Sequence, residues 1–530
     1  MGRGTIAAMA NANPAATNPD GAPLLPVRYK GLLTFAIMTA MMMQILDTTI
    51  ANVALPHMQT SLGATIDSIA WVLTSYIVAT AVAIPITGWL SDRVGSRNLF
   101  LWSVVGFIAT SMLCGAATSL EQMVIFRILQ GISAAFIGPI TLTAMLDINP
   151  SHKHNSALAI WSIGAVVGPV IGPLIGGWIT ESYNWRWVFY VNVPLGIVTL
   201  TALYVLLPTR QIVRRNFDIL GFAMFALGLA SLQLVLDRGQ QLDWLDSPEI
   251  WIGIGAMVIG FWVFAVHMAT GRNTLLSPRI FTDRNVAGSL VYMLLAGVVV
   301  FAVMALIAPM LQTVMGYPVI EAGKLLAPRG VGVIVAMATA ARLMNYVDAR
   351  YVVCVGWAIA AWSCYLMTQW DLAMDWRPIV TVGLIQGFGL GFIVVPINAI
   401  AFATLPPELR TEASALLNLM RNVGASIGIS VTATNIARVQ QISHADLATH
   451  INPSTLPSID LQRIGLPPEV ALRLIDQEIN RQALMIGYID NFWLIMWACI
   501  IAAPTVLLLK RVPPIRKRQA EAQAVPEPAE

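Results

Sequence analysis

The stretch Leu46-Asp47-Thr48-Thr49-Ile50-Ala51-Asn52-Val53-Ala54-Leu55-Pro56 places a carboxylate inside a segment otherwise built for lipid. That segment opens after Arg28 and Lys30 and runs from Gly31 to Pro56, about 26 residues, long enough to cross ~30 Å of hydrocarbon with some tilt. Ionisable side chains at such depth are costly, so they face a protein interior or a water-filled path and mark ion or substrate handling. Gln44, Asp47, Thr48 and Asn52 fall within an arc of roughly 140° at ~100° per residue, a polar stripe on an apolar rod. The competing role for Asp47 is that of a polar staple between two helices.

The rest of the chain carries the same message. Of 530 residues, 57% are hydrophobic and only 11% charged, with a mean hydropathy of +0.71; this is the profile of a polytopic membrane protein. A formal net charge of +3 is too small to favour a nucleic-acid partner. Cys114, Cys354, Cys364 and Cys499 all lie in apolar spans without a Cys-x-x-Cys pair, so neither a disulfide framework nor a metal site is indicated, and no cofactor is expected. The first 27 residues have no apolar core of the signal-peptide kind and read as a disordered tail, leaving the first span as an uncleaved insertion signal.

Apolar stretches of about 20 residues between turn and charge clusters number fourteen. Their limits are 31–56, 66–90, 98–118, 120–146, 154–180, 186–207, 217–237, 250–270, 285–313, 319–341, 350–369, 376–404, 411–437 and 484–509. Loops on the side of the termini hold 20 of the 31 basic residues, opposite loops nine, and two, Arg127 and Arg421, fall within spans. By the positive-inside rule both termini are cytoplasmic.

An internal repeat divides the spans. Leu129-Gln130-Gly131 followed by Phe136-Ile137 returns as Ile385-Gln386-Gly387 followed by Phe392-Ile393, and Ser156-Ala157-Leu158 returns as Ser414-Ala415-Leu416. The expected fold is all-α: an N-terminal six-helix bundle (31–208), an inserted helical hairpin (209–272) and a C-terminal six-helix bundle (273–510), flanked by cytoplasmic tails at 1–30 and 511–530. Repeats of this kind place a substrate site near the bilayer midplane between the halves. The outer loop 438–483 is polar and unusually long, with a helical-looking segment Pro468–Arg481; it is either a docking element or a tolerated surface excursion.

Between the second and third spans stands Gly88-Trp89-Leu90-Ser91-Asp92-Arg93-Val94-Gly95-Ser96-Arg97. The loop resembles the signature of the major facilitator superfamily, whose acid faces a helix N-terminus and the loop's basic residues as a gate between bundles. Carboxylates are favoured at helix N-termini, which supports carrying this role to Asp92. Asp147 is the expected partner of Arg93 or Arg97, and Gly88 and Gly95 complete the gate. The matching loop Ala341–Arg350 has Asn345 where the acid would stand. The fifth span carries Gly164, Gly168, Gly172 and Gly176 with Pro169 and Pro173 between them, a spacing that lets another helix approach closely. It resembles the antiporter signature of proton-coupled exporters, except that Pro173 replaces a glycine.

These points, with Arg127–Gly131, Trp185–Pro194 and Leu236–Trp244, make the whole chain resemble the fourteen-span drug:proton antiporter family of the EmrB/QacA type. The resemblance implies proton-driven efflux of hydrophobic or amphipathic toxic compounds (drugs, weak acids, fatty acids) across a bacterial inner membrane. It also implies a periplasmic membrane-fusion adaptor of the EmrA/HlyD type and an outer-membrane channel of the TolC type. An ATP-driven pump lacks support, because no Gly-x-x-x-x-Gly-Lys-Ser/Thr is present. A carrier for a specific metabolite or lipid shares the fold and is separable by transport direction in inverted vesicles.

Depth arithmetic adds a pairing. Asp47 lies about nine residues (~13 Å) and Arg127 about seven (~10 Å) from the outer ends of their spans, so the two depths match. An ion pair would keep Asp47 charged where burial favours the neutral acid, which makes the pair a candidate for proton coupling. Gln44, Asp47, Thr48, Asn52, Gln130, Gln386, Asn398 and Arg421 are the candidate cavity residues. Arg421 has an anionic substrate, Asp47 or backbone carbonyls as alternative partners.

Overall fold

The computed structural model describes residues 23–25, 27–208, 216–271, 274–450 and 468–511, and among them there is no strand. The expectations for most of the two tails, for several of the basic loop residues counted above (Arg210, Arg214, Arg215 and Arg272 on the side of the termini, Arg463 on the opposite side), and for the middle of the outer loop lie outside the described residues.

Twelve helices among the described residues are long and apolar enough to cross a membrane. They are α1 (Lys30–Leu62), α2 (Trp71–Val94), α3 (Ser96–Ala116), α4 (Leu120–Asp147), α6 (Trp187–Leu206), α7 (Ile219–Arg238), α8 (Pro248–Thr270), α9 (Arg284–Val314), α10 (Ile320–Leu343), α11 (Ala349–Met367), α12 (Trp376–Ala403) and α14 (Leu472–Leu508). Two further long helices, α5 (His154–Ser182) and α13 (Arg410–Thr449), fall outside that apolar set.

Two helix ends differ from expectation. Helix α1 does not stop at Pro56 but carries it internally and continues to Leu62, where Gly63 turns left-handed at φ 63° and donates its N–H to Gln59. At the outer loop, α13 runs on to Thr449 instead of ending near position 437, while the helix containing α14 begins at Pro468, as the helical-looking segment Pro468–Arg481 leads one to expect. His444 Nε2 meets Asp476 Oδ1 at 3.0 Å between the two extensions, and Arg481 Nε donates to the Val314 carbonyl at 2.8 Å. The polar end of α13 reads as loop because a helix that leaves the membrane no longer needs an apolar surface.

Small residues set the helix contacts, as is usual where lipid gives no hydrophobic drive between helices. On α5 the glycine row faces α1. A Cβ built on Gly168 would stand 2.6 Å from Ile45 Cγ2, one on Gly176 3.0 Å from Ile50 Cγ2, and those on Gly164 and Gly172 would overlap Met38 and Thr49. In the second half Gly297 and Gly424 bring α9 and α13 together, and Gly332, Gly387 and Gly391 do the same for α10 and α12. Helices α7 and α8 meet through Gly228 and Gly260. Helix α7 lies in a seam: Gln233 donates to Ser426 at 2.7 Å and its Leu236 carbonyl accepts from Ser430 at 2.8 Å, both on α13, while Arg238 covers the Trp71 ring of α2.

Gly168→Leu and Gly172→Leu fill the groove that α1 occupies and should each destabilise the protein by about 1–3 kcal/mol, as overpacked cores do. Thermal unfolding of the purified variants measures this, and an unchanged midpoint for both would show that α1 does not need the groove.

Candidate functional site

Asp47 of α1 and Arg127 of α4 form an ion pair, Nη1 to Oδ2 at 2.6 Å, and neither side chain is exposed at all. Removing such charges from water is unfavourable unless their remaining hydrogen-bonding positions are met. Here Asp47 Oδ1 accepts from Gln130 Nε2 and from Asn192 Nδ2, each at 2.9 Å. Gln130 Oε1 accepts in turn from Arg127 Nη1 at 2.9 Å, so aspartate, arginine and glutamine close a triangle. Arg127 Nε donates to the Val72 carbonyl at 3.0 Å, and its guanidinium lies over the Tyr76 ring at 4.3 Å. Asn192 also donates to Ser111 Oγ at 3.0 Å, which donates to the Phe189 carbonyl at 2.9 Å. Five helices, α1, α2, α3, α4 and α6, thus converge on one carboxylate.

The pairing agrees with expectation, but the depth argument behind it does not. Helix α1 ends at Leu62, so Asp47 lies about fifteen residues, ~22 Å, from its end; the two helices simply extend to different heights. The polar stripe also divides. Asp47 turns fully into the bundle, Gln44 and Thr48 are half-buried, and Asn52 is exposed.

Gln44 belongs to a second cluster. A Cβ on Gly138 of α4 would lie 3.5 Å from Asn418 Oδ1 and 3.6 Å from Gln44 Oε1, so α1, α4 and α13 meet there across the halves. Arg421 Nη2 donates to Asn418 Oδ1 at 3.0 Å. Arg421 therefore joins Gln44 at the seam and makes no pair with Asp47. Gln386 and Asn398 are not part of this cluster: both are buried on α12, and Asn398 donates to the Val394 carbonyl of its own helix at 3.1 Å.

The halves are fastened on the side where α1 begins and α14 ends. Gly88 packs against Glu412 of α13, which accepts from the Ser277 N–H at 2.7 Å. Ser414 Oγ donates to the Pro139 carbonyl at 3.1 Å. Asp147 faces Arg410 at 3.7 Å, across the halves. This corrects the expected pairing with Arg93 or Arg97. Arg93 lies over the Trp89 ring, and Arg97 donates to the Tyr204 carbonyl at 2.6 Å and covers that ring. The guanidiniums turn to the aromatic rim of their own bundle, leaving Asp147 to the other. Gly95 takes φ 89°, which favours glycine, and lets α3 start one residue after α2 ends. In the second half Asp348, rather than an acid at position 345, caps α11 and holds Arg350 at 3.0 Å.

Asn192 and Ser111 were not among the residues expected at the site, and Tyr76 stood out only as one of several span aromatics able to line an apolar pocket. Asn192 had a signal, being a lone amide in the apolar run Val188–Leu206; Ser111 had none, since small hydroxyls are ordinary in spans.

The Major Facilitator Superfamily model matches residues 37–429. The chain is 34% identical over 473 residues to the multidrug export protein EmrB of Escherichia coli (strain K12), covering 87% of this chain and 92% of that one. It is 33% identical over 485 residues to the fatty acid resistance protein FarB of Neisseria gonorrhoeae, covering 90% and 96%. In fold it is similar to the proton:xylose symporter XylE, with a TM-score of 0.56 and 14% identity over 92% of this chain and 97% of that one.

Replacing Arg127 by Met leaves Asp47 buried without its counter-ion and should cost about 3–5 kcal/mol. Asp47→Asn combined with Arg127→Met should recover part of that loss. Melting of the two variants side by side is the measurement, and an equal or greater loss in the double variant would refute the pair as the centre of the network.

Proposed function

The chain belongs to the major facilitator superfamily, and from that footing we propose that it exports hydrophobic and amphipathic compounds in exchange for protons. It is a multi-pass membrane transporter rather than an enzyme. The names of its relatives, multidrug export and fatty acid resistance proteins, support drugs and fatty acids as cargo.

The observation that carries the mechanism is the fully buried Asp47–Arg127 pair with its second carboxylate oxygen held by Gln130 and Asn192. In this reading Asp47 is the proton carrier. Protonation cancels its charge, weakens three charge-assisted hydrogen bonds and frees α1 to shift against the glycine row of α5. Gln44, Thr48, Asn418 and Arg421 line the substrate path at the seam, with Arg421 suited to an acidic group. Gly88, Asp92, Asp147 and Arg410 work the gate on the side of the termini, and the contacts there favour a state open to the opposite side.

The finer architecture belongs to the same reading. Helices α5 and α13 complete fourteen spans, α7 and α8 form a hairpin inserted between two six-helix bundles, and both termini face the cytoplasm across the bacterial inner membrane. The paired extensions of α13 and α14 offer a periplasmic docking element for a membrane-fusion adaptor leading to an outer-membrane channel. Deleting 441–480 should then leave export into inverted vesicles intact yet abolish resistance in whole cells. Full resistance in that deletion would remove the docking role.

Asp47→Asn keeps shape and hydrogen bonding but cannot titrate. Substrate added to energised inverted vesicles of this variant should no longer release protons, and resistance should fall to background, while Asp47→Glu retains activity with a shifted pH optimum. Normal coupled export by Asp47→Asn would make Asp47 a structural staple and overturn the mechanism.

A further inference from the structure

The second bundle repeats the ion-pair site of the first but lacks its carboxylate. Gly131 of α4 packs against the Tyr76 carbonyl of α2, and Gly387 of α12 packs in the same way against the Arg329 carbonyl of α10. Arg329 therefore stands where Tyr76 stands in the first half. Gln386, one residue before Gly387, matches Gln130, and Gly383 takes the place of Arg127; a Cβ on Gly383 would lie 3.7 Å from Arg329 Cβ. The guanidinium has moved from one helix to its neighbour, but it remains at the same junction. In the first half Cys114 of α3 also reaches Gln130 Oε1, at 3.5 Å.

What differs is how the polar groups are met. Arg329 is 8% exposed, and its one hydrogen bond runs from Nη2 to the Val300 carbonyl of α9 at 3.4 Å. It has no ion pair among the described residues. Gln386 is wholly buried, and neither Nε2 nor Oε1 has a partner. A carbonyl cannot neutralise a guanidinium, and a buried amide with both ends unmet is costly. In the first half the matching glutamine accepts from arginine through Oε1 and donates to aspartate through Nε2. The second half has the arginine and the glutamine of that triangle, and the corner facing α9 has no acid.

We propose that the junction of α9, α10 and α12 receives a small monovalent anion, either chloride or a carboxylate group. It completes from outside the ion pair that Asp47 completes from within the first bundle. Arg329 supplies the charge, Gln386 Nε2 donates to the anion, and Gln386 Oε1 accepts from the guanidinium. The site does not depend on the direction of transport, so it stands or falls separately from the export reading.

The test uses the purified full-length protein in detergent micelles, with thermal unfolding followed by tryptophan fluorescence. Sodium chloride, sodium formate and sodium octanoate are titrated against sodium sulfate of matched ionic strength. A bound anion should raise the midpoint saturably with concentration. The rise should vanish in Arg329→Met and in Gln386→Leu but persist in Arg377→Met, which removes an exposed guanidinium at the start of α12. A response to chloride alone assigns the site to an inorganic anion, and a response to formate or octanoate alone assigns it to a carboxylate. Should Arg329→Met fail to fold, Gln386→Leu carries the comparison, since it removes no charge. A midpoint insensitive to all three salts, with water alone filling the junction, overturns the proposal; so does a rise that survives in Gln386→Leu.

Discussion

The first bundle is organised by the requirement that one buried carboxylate be fully met. Asp47 has no exposure, so its stability depends on protein donors: one guanidinium on Oδ2 and two amides on Oδ1. Each donor comes at a distance of 2.9 Å or less from a helix that must hold its height and rotation to deliver it. A slide of one turn, about 5.4 Å, would break every bond in the set. The apolar contacts of α1, α4 and α6 tolerate small adjustments, whereas this network selects one register. The ring of Tyr76 beneath the guanidinium extends the same constraint to α2.

Close packing supplies the second constraint. The α5 glycines admit Met38, Ile45, Thr49 and Ile50 of α1, the helix that carries Asp47. One face of α1 is therefore seated in a groove while the adjoining face is tied by charge, and a third, through Gln44, borders the seam with the second half. Helix α7 adds a lateral tie, hydrogen-bonded to α13 and in ring contact with α2 through Arg238. Helix α8 packs chiefly on α7 and shows most of its surface outward.

Much of this was legible in the sequence, and the failures have physical causes. The run of apolar spans, the repeat at Gln130 and Gln386, the glycine row and the Asp47–Arg127 pair all follow from periodicity and from the cost of charge in lipid. Helix ends were less legible. Pro56 reads as a stop, yet proline within a long membrane helix is tolerated where neighbouring groups take up the freed carbonyl, and α1 passes through it. The segment Pro468–Arg481 reads as helix and is one, whereas the extension of α13 to Thr449 is not legible, because a helix outside lipid leaves no apolar signature. Partners across the halves, Asp147 with Arg410 and Gly88 with Glu412, are separated by more than two hundred positions and carry no local pattern. The glutamines look equivalent in sequence, and only three dimensions reveal that one is triply bonded and the other unmet.

The inequality of the halves bears on how a change of charge could reach the substrate path. Asp47 is fully buried among α1, α2, α3, α4 and α6 rather than at the seam where Gln44, Asn418 and Arg421 meet, so on the proposed reading cargo at the seam does not touch it. On the proposed export reading, coupling must pass through α1 itself, where Gln44 stands three residues before Asp47 on the adjoining face. Loss of the Asp47 charge slackens bonds to α4 and α6 together, while Ile45 and Thr49 remain seated on α5. Rotation of α1 about that seat then moves Gln44 relative to Gly138 and Asn418, changing the path at the point where the halves meet. Among the described residues the matching junction of α9, α10 and α12 has no acid of its own, so on the same reading a proton carried by Asp47 acts on one half alone. On that reading a single proton site on the chain biases a rocking motion in one sense, because the matching junction supplies no side-chain carboxylate of its own.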